Sequence, residues 1–146
     1  MKKSIISFIC FLLMFTSISF ADNNQIKQTL KDMELVNNNI SIMIKQIVGD
    51  EPLNTDNLNK DIKFLESILG ERSKNITSLY ATESSTELKR TYSTLLNTIS
   101  LYELSLNSIK AYINDNSKVD YFIEACTTYY SWNISLMVVN KKHQNN

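Results

Sequence analysis

Residues 85–114 read STELKRTYSTLLNTISLYELSLNSIKAYIN, and Leu88, Tyr92, Leu95, Ile99, Tyr102, Leu106, Ile109 and Ile113 fall in that stretch at alternating steps of four and three. Such alternation keeps one apolar stripe on one side of a helix for about 40 Å, at roughly 1.5 Å per residue. It is the spacing of side chains that pack against neighbouring helices. Just upstream, Ser84 and Glu87 have the separation of a capping box, which predicts a helix start near Ser85. Downstream, Asn114-Asp115-Asn116-Ser117 is a polar turn, and Ser117 with Asp120 gives a weaker start signal for the next helix.

The same spacing recurs on both sides of this stretch. Leu58, Ile62, Leu65, Leu69, Ile76 and Leu79 form a second seam, interrupted by Arg72, and Ile26, Leu30, Met33, Ile40 and Ile47 form a first. One proline (Pro52) and two glycines (Gly49, Gly70) are too little punctuation for a domain of many short strands. Gly49-Asp50-Glu51-Pro52 closes the first run, and Asn54-Thr55-Asp56 supplies caps for the second. The expected architecture is all-α, with helices near 24–48, 55–80, 85–114 and 118–141 in an up-down-up-down four-helix bundle. Gly70 lies within the second of these, where a kink or a split into two shorter helices is expected.

The first 21 residues belong to a different class. Lys2 and Lys3 precede an uncharged, mostly apolar run, and Ser19-Phe20-Ala21 offers small residues where a signal peptidase inspects them before the chain turns polar at Asp22. We expect residues 1–21 to be a cleaved signal peptide and residues 22–146 a single domain, periplasmic or secreted. That domain would carry a net charge of −2, from thirteen basic and fifteen acidic residues. Such a balance gives no electrostatic reason to bind nucleic acid or, after signal cleavage, an anionic membrane. With Cys10 in the leader, Cys126 stands alone and an intramolecular disulfide is excluded.

Chemistry is sparse in this sequence. The one histidine, His143, lies among the last four residues, so no triad can be assembled around it. Glu66, Glu71 and Glu103 fall off the apolar seams, where a helical di-metal site would need inward carboxylates. Haem-attachment and glycine-rich phosphate motifs are absent. The expectation is therefore a protein with no catalytic residues, metal or cofactor. Asn39, Asn75 and Asn133 head glycosylation sequons, which chance explains in a chain this rich in Asn, Ser and Thr.

The fourth helix carries the informative pattern. One stripe, through Phe122, Ala125, Tyr129, Trp132, Leu136 and Val139, has core spacing. A second, through Ile123, Cys126, Tyr130, Ile134 and Met137, lies about 130° around the helix. Glu124, Thr128, Ser131 and Ser135 make the polar strip. On the third helix, Leu101 and Leu104 lie off the seam and are expected to point outward. The second stripe of the fourth helix is either covered by neighbouring helices or shared with something outside the fold. The expected function is a non-enzymatic interaction protein that uses Ile123, Cys126, Tyr130, Ile134 and Met137 to contact a protein partner or a second copy. The alternative is a carrier that holds a small apolar ligand between the helices near Tyr129 and Trp132.

Overall fold

The computed structural model describes the backbone of residues 2–49 and 52–144, and side-chain surroundings for residues 24–49 and 52–131. It is all-helical, with α1 over Lys2–Val48, α2 over Thr55–Thr82, α3 over Thr86–Asn114 and α4 over Val119–Gln144. Strands are absent among the described residues.

In α3 the seam side chains Tyr92, Leu95, Ile99, Tyr102, Leu106 and Ile109 are all buried, with Leu88 and Ile113 packed against them at either end. The start differs by one residue from the capping box. Ser85, not Ser84, is the N-cap, and its hydroxyl oxygen accepts from Leu88 N–H at 3.4 Å. Glu83 takes part, its carboxylate accepting from the Ser84 and Ser85 N–H groups at 2.7 and 2.6 Å, the first of which a box would have given to Glu87. Glu87 thereby becomes the second helical residue, where a negative charge faces the positive end of the helix dipole. The helix ends where Asp115 N–H donates back to Ala111 C=O at 3.1 Å.

A second side of α3 is buried as well. Thr98, Ser105 and Ser108 are buried although their side chains are polar, because each hydroxyl has an acceptor: Thr98 bonds to Thr94 C=O, Ser108 to Leu104 C=O, and Ser105 to Ala125 C=O on α4. Leu101 belongs to this same side, packed against the core rather than turned outward, while Leu104 is exposed. The correction for Leu101 follows from helix geometry, since it lies one turn before Ser105 and shares its α4-facing stripe.

Asn54 caps α2, its Oδ1 accepting from Asn57 N–H at 3.1 Å, a contact worth about 1 kcal/mol. Leu58, Ile62, Leu65, Leu69 and Ile76 bury their side chains along it. The expected split at Gly70 does not occur. Buried anchors on both sides hold the helix through it, and each such side chain contributes more than the roughly 1 kcal/mol that a helical glycine costs. A Cβ built at Gly70 meets nothing within 4 Å. Gly70→Ala is therefore expected to raise stability by about 0.5–1 kcal/mol. Thermal unfolding followed by circular dichroism would read this as a higher midpoint, and an unchanged or lower one would show that α2 needs the glycine.

α1 contributes Ile26, Met33, Val36, Ile40, Met43, Ile44 and Ile47 to the core, with Thr29 buried among them and bonded to Gln25 C=O at 2.8 Å. Arg72, the interruption in the α2 seam, faces this helix. Its Nε lies 2.6 Å from Asp32 Oδ2, off the N–H direction, so the contact is an ion pair rather than a linear hydrogen bond. Nη2 reaches Glu71 at 3.2 Å. A guanidinium can stand in a seam here because carboxylates on two helices neutralise it.

α3 is the common neighbour, packing against α1, α2 and α4. α1 also meets α2 and α4, whereas α2 and α4 do not touch among the described residues. Cross-helix pairs mark the contacts. Lys110 meets Glu66 at 3.2 Å, Lys89 lies 5.7 Å from the centre of the Tyr80 ring, and the Tyr102 hydroxyl donates to Asn37 Oδ1 at 3.3 Å.

Candidate interaction face

The fourth helix is launched by a short turn built on Asp115. Its carboxylate accepts from the Ser117 hydroxyl at 2.6 Å and from the Ser117 N–H at 3.3 Å, and it pairs with Lys118 at 3.3 Å. The Ser117 bond, then Lys118, holds the Asp115 carboxyl below its ordinary pKa. Lys118 N–H closes the turn on Asp115 C=O, and Tyr121 N–H opens the helix on Lys118 C=O.

What decides the orientation of α4 is the small-residue side of α3. The Ser105 hydroxyl reaches Ala125 C=O at 3.1 Å, and the Ser108 hydroxyl lies 2.7 Å from Glu124 Oε2. The rings of Tyr112 and Phe122 meet at 5.3 Å. These contacts turn Ala125, Thr128 and Tyr129 inward, where all three are buried. The polar strip is thus not a solvated one throughout. Thr128 enters the core with its hydroxyl bonded to Glu124 C=O at 2.7 Å, and the Glu124 carboxylate is tied to α3. Backbone-bonded threonine can be buried at little cost, which is why polarity alone misplaces it.

The opposite side of the helix faces solvent. Val119, Ile123 and Tyr130 are 53%, 56% and 64% exposed. Cys126 stands at the edge of this stripe, half-buried against the core, and burial pushes its thiol pKa up. The Tyr130 ring sits edge-on against Tyr129, with centroids 5.3 Å apart and planes at 69°. Val119 was not singled out by sequence reasoning, although it lies four residues before Ile123 and continues the stripe. Ile134 and Met137, also assigned to the stripe, lie outside the residues with described side chains.

Of the two residues assigned to a ligand site, Tyr129 is packed in the core and Trp132 lies outside the described side chains. A cleft of about 630 Å³ opens elsewhere, at the α1–α2 turn, lined by Ile42, Gln46, Pro52, Leu53, Leu58 and Asp61. Among the described residues, no group of three or more His, Cys, Asp or Glu side chains could hold a metal ion. No helix among them is long and apolar enough to cross a membrane.

No family model matches this chain, and no curated protein or solved structure shows significant similarity to it.

Proposed function

We propose that this chain is exported, loses residues 1–21, and acts as a non-enzymatic interaction protein of the periplasm or the outside medium through the outer face of α4. The observation that carries the reading is the row of Val119, Ile123 and Tyr130, each more than half exposed along one side of a single helix. Isolated surface leucines are ordinary, but aligned apolar side chains including an aromatic ring mark contact surfaces. Tyrosine suits the role because it joins a large apolar body to a polar tip. The carrier alternative has no matching support, since the Tyr129 ring is occupied by core packing.

An up-down-up-down order belongs to this proposal. Glu66 with Lys110 and Tyr80 with Lys89 pair α2 and α3 in opposite senses, and Ser105 with Ala125 and Tyr112 with Phe122 do the same for α3 and α4.

Tyr130→Asp tests the contact face. A side chain 64% exposed contributes little to the fold, so helix content and melting should hold to within about 0.5 kcal/mol. Native mass spectrometry of the protein from its own extracytoplasmic fraction should show wild type in a complex, its chain starting at Asp22, and the variant released from it. A variant that unfolds would instead place Tyr130 in the core and end the proposal.

A further inference from the structure

We draw no further inference here: the strongest candidate, the apolar outer face of α4 at Val119, Ile123 and Tyr130, belongs to the site already described, and nothing in the structure shows what covers it.

Discussion

Tyr102→Ala is expected to lower the stability of the bundle by about 3–5 kcal/mol, a large share of the roughly 5–15 kcal/mol that holds such a domain folded. Tyr102 is fully buried at the middle of α3, and its hydroxyl donates to Asn37 on α1 at 3.3 Å. Truncation removes the ring, leaves a cavity between α3 and α1, and takes away a partner from a half-buried amide. Tyr102→Phe separates these terms, because it keeps the ring and deletes only the hydroxyl, at an expected cost of about 0.5–1.5 kcal/mol. Chemical denaturation of both variants measures the difference. A Tyr102→Ala loss below about 1 kcal/mol would mean that α1 is not seated on α3 through this ring, since large-to-small changes at fully packed sites exceed that value.

Tyr102 was legible from the sequence because it is large, apolar in body and in register with seven other such residues. The α1- and α2-facing seams were legible for the same reason: burial there is achieved by side chains whose hydrophobicity announces it. The α3–α4 contact was not. It crosses from Ser105 to Ala125 C=O, from Ser108 to Glu124 and from Tyr112 to Phe122, and the buried Thr98, Ser105, Ser108 and Thr128 of these two helices carry hydroxyls that bond to backbone carbonyls. A count of apolar positions scores such a face as solvent-facing. Hence α4 drew attention as the two-sided helix, whereas α3 is buried on two sides and packs against all three others.

The candidate site depended on this hidden contact. Both stripes of α4 could be read as stripes, but which of them turned toward solvent rested on where Ser105 and Ser108 hold Ala125 and Glu124. Arg72 is a comparable case, in which a charged residue in a seam looked like a fault and is neutralised by Asp32 from another helix. Pairings across helices are not written in the local period of either one. The cap of α3 lies one residue further on, where Glu83, from the turn, takes the Ser84 N–H that the box would have used.

Ser105→Leu is the variant that exposes this contact, with an expected cost of about 1–3 kcal/mol, from overpacking rather than from the lost hydrogen bond. The serine hydroxyl reaches the backbone carbonyl of Ala125 directly at 3.1 Å, which places the two helix backbones too close for a leucine between them. Ser105→Ala, which fits the same space, should cost less than about 1 kcal/mol, because Ala125 C=O is a helix carbonyl and the serine is an additional donor to it. The damage from leucine should be local. Native-state hydrogen exchange is expected to accelerate across Val119–Ser131 while Tyr92–Ile109 keeps its protection, since α1 and α2 still cover the other side of α3. Because the outer face of α4 is positioned by this seam, Ser105→Leu should also weaken any assembly through Tyr130, although Ser105 lies on the other side of the helix contact. Ser105→Leu with unchanged exchange in α4 would show that the seam has slack, and the orientation of Val119, Ile123 and Tyr130 would then need another cause. Equal loss of protection in all helices would show instead that α4 is not a separable layer but part of one cooperative unit with the core.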